Sequence, residues 1–403
     1  MNTRELKQII LQEAKEIESY IIKTRRYIHQ HPETAFEEVN TRNFVEAELK
    51  SFGYETVRTA RTGVIGILRP VIYDQTAGKT IALRADTDAL NLTEENTIEY
   101  VSKNPGKMHA CGHDAHTAML LGAAQIISKH RDNLSGSLKL LFQPAEEGGG
   151  GGKLICDEGH LDDVDRIFGI HVWRELEAGV IGLRKGGMLA SADAFTVIIT
   201  GKGGHAAAPH QAIDPTAVLV DIYNALQKIV SREIDPFQDV ILTTPVMQGS
   251  DAFNVIPREA KMMGTFRTMD PTVREHIVTR VPEIVQGYCE AWRCEGKVIF
   301  NEGDMIAYPP LINDSQTIED VGEILKDTTL KFVTMDPSMG GEDFAFYLQK
   351  TKGAFLTLGI YNEEKGIISP HHHPQFDVDE AVLWKGTALY SLLAFYPLFK
   401  SGE

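Results

Sequence analysis

Apolar residues recur at helical spacing from Leu6 to Gln30 and from Asn40 to Phe52. The pattern then switches to short β-branched runs at Gly63–Leu68, Lys79–Leu83, Ser137–Phe142 and Arg166–Val172. Between the second and third of these runs, His116–His130 places Met119, Leu120, Ala123, Ala124 and Ile127 on one stripe, which predicts a helix. Strands alternating with helices predict an α/β sheet covered on both faces.

Near Ala190 the pattern changes. Phe195–Thr200 reads as a strand, and Pro215–Val230 as a helix with Val218, Leu219, Ile222, Leu226 and Ile229 facing one way. Asp239–Met247 and Ala260–Met269 read as strands, Thr272–Trp292 as a second helix and Lys297–Asn301 as a last strand. Strand–helix–strand–strand–helix–strand is the ferredoxin-like order. Pro282 lacks an N–H to donate, which predicts a kink or a break in the second helix. After Gly303 the α/β character returns and ends in a helix near Ala381–Phe395. Residues 190–301 therefore read as a compact unit inserted between 1–189 and 302–403. Two sequential domains are the alternative that periodicity leaves open.

A chain of 403 residues, 43% apolar and 24% charged, fits a globular protein of two domains with a sizeable core. Forty basic against 56 acidic residues leave a net charge of -16. That argues against nucleic acid, whose phosphates demand a basic footprint, and against an anionic membrane surface. It leaves a small substrate open, because a local cation reverses the field at a site. The first residues lack a continuous apolar signal segment, and no run approaches the roughly 20 apolar residues of a membrane span. Cys111, Cys156, Cys289 and Cys294 are few and irregularly spaced, which points to a reducing cytoplasm rather than a disulfide scaffold.

The densest group of metal-binding side chains is His109-Ala-Cys111-Gly-His113-Asp-Ala-His116. In an extended segment Cys111 and His113 point the same way, so a thiolate and an imidazole can meet one cation. Such a donor pair suits zinc or another late transition metal, and carboxylates widen the choice toward manganese. The second group, Gln143-Pro-Ala-Glu146-Glu147, follows a strand, where α/β sheets place their sites. Adjacent side chains diverge, so one carboxylate can bind metal while the other addresses water; two exposed loop acids are the plainer reading. The glycines from Gly148 to Gly152 do not make a phosphate loop, because Glu147 and Leu154 break the pattern around Lys153.

Further candidates stand at strand ends. His171 closes the Gly169–Trp173 strand, and His371-His372-His373 precedes Pro374. Asp86 and Asp88 read either as carboxylates that orient ligand histidines or as exposed turn acids. In the inserted unit, His205 and His210 sit in a glycine–alanine loop, with Asn254 and Arg267 at strand ends. Each of these, taken singly, also fits an ordinary loop hydrogen bond or a surface ion pair.

Together these segments resemble a known family. Arg84-Ala-Asp-Thr-Asp, His-Ala-Cys111-Gly-His113, Gln-Pro-Ala-Glu146-Glu147, Gly-Ile-His171-Val-Trp, Gly-Gly-His205-Ala-Ala-Ala-Pro-His, Phe-Asn254-Val-Ile-Pro, Met339-Gly-Gly-Glu-Asp-Phe and His372-His-Pro-Gln-Phe stand in order. They resemble the co-catalytic metallopeptidases that include aminoacylases, hippurate hydrolases, thermostable carboxypeptidases and plant auxin-conjugate hydrolases, in the branch with a cysteine ligand. The likeness runs over nearly the whole chain.

The resemblance implies an α/β fold: a mixed-sheet catalytic domain with an inserted ferredoxin-like α+β lid, which also pairs subunits into a homodimer or homotetramer. It implies two divalent metal ions per subunit (zinc, manganese or cobalt) on Cys111, His113, Glu147, His171 and His372, with Glu146 as general base. His205 would reach the substrate carbonyl from a neighbouring subunit, and Asn254 and Arg267 would meet the substrate carboxylate. The implied reaction is hydrolysis of the amide bond in N-acyl-L-amino acids or short peptides. Two other readings stay open: a binding protein that kept the fold, and a two-metal phosphoesterase.

Overall fold

Continuous apolar runs suit strands buried on both faces, and the central strand Ile81–Asp86 is buried at every position. It belongs to an eight-stranded sheet in the order Glu55–Thr59, Gly63–Leu68, Leu138–Gln143, Ile81–Asp86, Arg166–Glu177, Gly353–Tyr361, Ile181–Leu183, Phe332–Thr334. The four strands from Leu138–Gln143 to Gly353–Tyr361 run parallel. Gly63–Leu68 joins them antiparallel on one side and Ile181–Leu183 on the other, so the sheet is mixed. This is a computed structural model, and it describes residues 2–70, 79–303 and 306–400.

The chain divides into two compact units. One comprises Met1–Gly186, Asn313–Asp336 and Asp343–Glu403; the other comprises Gly187–Ile312 with Pro337–Glu342. The second unit is longer than the predicted 190–301, because bridges from Leu189 to Ser338 and from Ala192 to Tyr308 bind the flanking segments to it.

In the larger unit, the helix predicted over His116–His130 begins earlier, at His113, and ends at Lys129. It is buried on all sides, not along one stripe, and packs between Glu18–His29 and Leu383–Ala394. The single helix predicted from Leu6 to Gln30 is two, Thr3–Glu16 and Glu18–His29, with Ile17 out of helical geometry at φ -93, ψ 12.

In the second unit, four antiparallel strands run in the order Val240–Gln248, Glu259–Thr268, Asp193–Thr200, Glu295–Phe300. With helices Pro215–Lys228 and Pro271–Trp292 this is the ferredoxin-like arrangement. Val218, Leu219, Ile222 and Leu226 enclose a core with Ile277, Val281 and Val285. The second helix runs unbroken through Pro282, because apolar contacts on both sides of the proline, Ile277 and Val281 before it and Ile284 and Val285 after it, hold it to the core. Among the described residues, no helix is long and apolar enough to cross a membrane.

Candidate metal centre

Parallel strands end with their carbonyl termini at one edge of the sheet, and side chains just beyond them converge there. Asp86 ends one strand, Glu146 and Glu147 follow its neighbour Leu138–Gln143, and His171 lies on the neighbour at the other side. His171 sits mid-strand rather than closing it, since that strand continues to Glu177.

Gly112 makes the approach from the fourth direction. The sequence placed Cys111-Gly-His113 in extended backbone, where the two side chains would share a face. Instead Gly112 takes the left-handed φ of 94 as the cap of the helix, and His113 is that helix's first residue. An added Cβ at Gly112 would meet Val172 Cγ2 at 2.3 Å, so only glycine fits this turn.

The result is a set of converging donors. Ligand atoms of Cys111, His113 and Glu147 lie within 4.8 Å of one another. Cys111 Sγ is 3.5 Å from His171 Nε2, and His372 Nε2 is 3.0 Å from Glu147 Oε1. The three consecutive histidines separate by environment. His371 packs edge-on against His171 and tilted against Phe376, and burial pushes its pKa down to about 3. His373 accepts the Gln375 N–H in a turn, while His372 faces Cys111 and Glu147, which push its pKa up to about 10.

Asp88 supports this set from below. Its carboxylate accepts from His113 Nδ1 at 3.2 Å and from the backbone N–H groups of Glu146 and Glu147 at 3.0 Å each. The left-handed φ of 55 at Ala145 turns the chain so that both N–H groups aim at it. His113 Nε2 is left buried without a hydrogen-bond partner, which is the state of a nitrogen ready to bind a cation. His171 Nδ1 donates to the Val172 carbonyl at 2.6 Å, which likewise reserves its Nε2.

Asp86, His113, His116 and His171 form an overlapping cluster. His116 uses both ring nitrogens within the protein: Nδ1 bonds Asp86 at 2.5 Å, and Nε2 accepts the Val172 N–H at 2.8 Å. Asp86 also binds Arg84 at 2.7 Å. His116 and Asp86 are therefore braces for the strand that carries His171.

Burial, followed by the nearby Glu147 carboxylate, raises the Cys111 thiol above its ordinary range. Burial opposes the Glu147 carboxylate too, yet His372 and His113 hold its pKa below the usual value. A thiol, an imidazole and a carboxylate in mutual reach, with two further imidazoles beside the thiol and the carboxylate and an orphaned buried nitrogen among them, fit a divalent cation site.

Residues 82–395 match the model of Peptidase family M20/M25/M40. The chain belongs to that family. It is thus a hydrolase of the peptidase and amidohydrolase kind, as the motif resemblance implied. The M20 chain is 41% identical to Thermostable carboxypeptidase 1 of Saccharolobus solfataricus over 386 residues, covering 95% of this chain and 96% of that one. It is 42% identical to the N-acyl-L-amino acid amidohydrolase of Geobacillus stearothermophilus over 315 residues, 78% of this chain and 82% of the relative. Among solved structures, a dinuclear metal binding peptidase of the M20 family from Bacillus subtilis superposes with a TM-score of 0.83 at 30% identity, covering 96% of this chain and 99% of that one.

The remaining predicted residues of this M20 hydrolase lie in the second unit. His205 is exposed on the short strand Gly204–His205, which pairs with Val255–Ile256. The Ala207 N–H donates to His205 Nδ1 at 3.0 Å, so Nε2 is the donor. Asn254 is exposed, and its carbonyl accepts the Ala206 N–H at 3.0 Å, which brings it beside His205. Arg267 is half-buried on Glu259–Thr268, opposite Ile241.

Sequence reasoning left Asp88 undecided and gave His116 no role. The Asp-x-Asp after a strand was visible, but its partners lie 25 and 58 positions away, and only the fold joins them.

Proposed function

We propose that Cys111, His113, Glu147, His171 and His372 hold two divalent cations (zinc, manganese or cobalt) and that the protein cleaves the amide bond of N-acyl-L-amino acids or short peptides. The observation that carries this reading is the convergence of those donors, from four separate stretches of chain, beside Glu146. The bacterial relative that binds a dinuclear metal and the amidohydrolase and carboxypeptidase relatives support it.

Bound cations would polarise the scissile carbonyl and lower the pKa of a water. Glu146, buried next to ligand Glu147, takes the proton from the attacking water and returns it to the leaving nitrogen. His205 Nε2–H donates to the carbonyl oxygen as negative charge grows there, a donor worth roughly 2.7–4 kcal/mol in the transition state. Asn254 and the Arg267 guanidinium bind the substrate carboxylate. The second unit acts as a lid and pairs subunits into a dimer or tetramer, so that His205 serves a neighbour's centre. The few, irregularly spaced cysteines, Cys111, Cys156, Cys289 and Cys294, support a reducing cytoplasm as the setting.

The neighbouring glutamates separate the two roles. Glu146→Ala is expected to keep its metal and lose on the order of 100- to 10,000-fold in rate. Glu147→Ala is expected to lose metal first. Metal analysis with the opposite pattern would overturn the assignments. A screen of N-acetyl, N-benzoyl and carbobenzoxy amino acids with each cation identifies the acyl preference; no hydrolysis of any would sink the substrate class.

A further inference from the structure

The helix Pro271–Trp292 ends in Cys289-Glu-Ala-Trp-Arg293-Cys294. Arg293 takes left-handed geometry at φ 58, ψ 40. Its N–H bonds the Glu290 carbonyl at 3.3 Å, and the Cys294 N–H bonds the Cys289 carbonyl at 3.0 Å. This paired closure folds the second residue past the helix back over the last turn, where two apolar side chains ordinarily touch. Here both positions are cysteine.

The Cys294 thiol donates to the Cys289 carbonyl at 3.8 Å, which holds its sulfur over the turn that carries Cys289. Cys289 is buried, Cys294 is half-buried, and both are free. Beneath them Gly296 opens the space: a Cβ there would stand 2.6 Å from Cys289 Sγ. The buried sulfur is thus wedged between its helix and the strand Glu295–Phe300. A disulfide needs Cα atoms roughly 4.4–6.8 Å apart with facing Cβ atoms. A helix end closed by a bond from residue six to residue one brings the side chains of those two residues together over the last turn.

We propose that Cys289 and Cys294 are a peroxide-oxidised dithiol that closes to a disulfide and staples the end of this helix. Burial pushes the Cys289 thiol up to about 12, so the first attack falls to the half-exposed Cys294 sulfur. The Cys294 thiolate attacks one oxygen of hydrogen peroxide, the O–O bond breaks and hydroxide leaves; the sulfur becomes a sulfenic acid, oxidised by two electrons. Cys289, giving its proton to solvent, attacks that sulfur, the S–O bond breaks and the oxygen departs as water. The sum is two thiols and one peroxide converted to one disulfide and two waters. This site is separate from the metal centre, and its test does not depend on the proposed reaction.

The chain provides the readout. Trypsin cuts after Arg280, Arg293 and Lys297, so each cysteine falls in its own peptide, Val281–Arg293 and Cys294–Lys297. The intact folded protein is treated with hydrogen peroxide, its remaining thiols are alkylated with iodoacetamide in denaturant, and it is digested. The expected result is the two peptides joined, with two hydrogens lost and full separation after dithiothreitol. In Cys294→Ser the Val281–Arg293 peptide is expected alkylated after the same treatment. Both peptides recovered alkylated from the wild type would overturn the proposal. So would Cys294 recovered as a sulfinic acid with Cys289 alkylated, or Cys294 joined to a second chain.

Discussion

Two buried carboxylates near the metal centre act in opposite senses. Asp88 holds three groups at once: the His113 ring and the N–H groups of Glu146 and Glu147. Removing such a support usually costs 10- to 100-fold in metal affinity. Asp88→Ala is therefore expected to weaken cation binding by about that factor, read by competition with a chelator; unchanged affinity would mean the ligands orient themselves. Glu38 accepts from Thr62 at 2.6 Å and from the Ala145 N–H at 2.9 Å. Burial, then the nearby Asp88, pushes its pKa up from 4.5 to about 7. A carboxyl raised in the folded state binds its proton more tightly there. Its contribution to stability is complete below pH 4.5 and is lost as pH rises through about 7. Glu38→Gln stays neutral and is expected to flatten urea-measured stability across that window; an unchanged slope would show that Glu38 is not the titrating group.

At the scale of elements, the turn at Gly112 decides where Cys111 and His113 point. Gly112→Ala puts an L-residue in left-handed geometry, at a cost of roughly 1–2 kcal/mol, and drives its Cβ against Val172. Both thermal stability and metal affinity are expected to fall. Adding Val172→Ala relieves the contact but not the backbone, so only part of the loss is expected back; full recovery would show that sterics alone set this turn. The same turn shows where reading the chain stopped. The donors at 111, 113, 147, 171 and 372 were named from motifs, and the fold brings them together. The path between Cys111 and His113 was read as extended, because three residues carry no period to tell strand from cap. Strand Gly353–Tyr361 went unmarked although it is central: both of its faces are buried, so it has no alternation to read. In the second unit, alternation and helical stripes lie on half-exposed elements, and there the order of the four long strands and two long helices was legible, while the two-residue strands Gly204–His205 and Val255–Ile256 are too short to carry a period. Pro282 was the exception, because packing on both sides of it lies outside any local rule.

The described residues form two apolar cores that share no residue, one around Met119, Leu140 and Leu358, the other around Val197, Ile222 and Phe266. All the proposed metal donors belong to the larger unit. A ligand stabilises what it binds, by about 2.7 kcal/mol at a hundred times its dissociation constant. Cations should therefore raise the unfolding temperature of one unit and leave the other where it was. Scanning calorimetry of the full chain is expected to resolve two transitions, of which only one moves when a chelator strips the metal. Ile222→Ala, a cavity in the smaller core costing on the order of 2–5 kcal/mol, is expected to lower the other one alone. If both treatments shifted a single common transition, the two cores would be melting as one body. The helix-end dithiol would then report on the stability of the metal centre as well as its own unit.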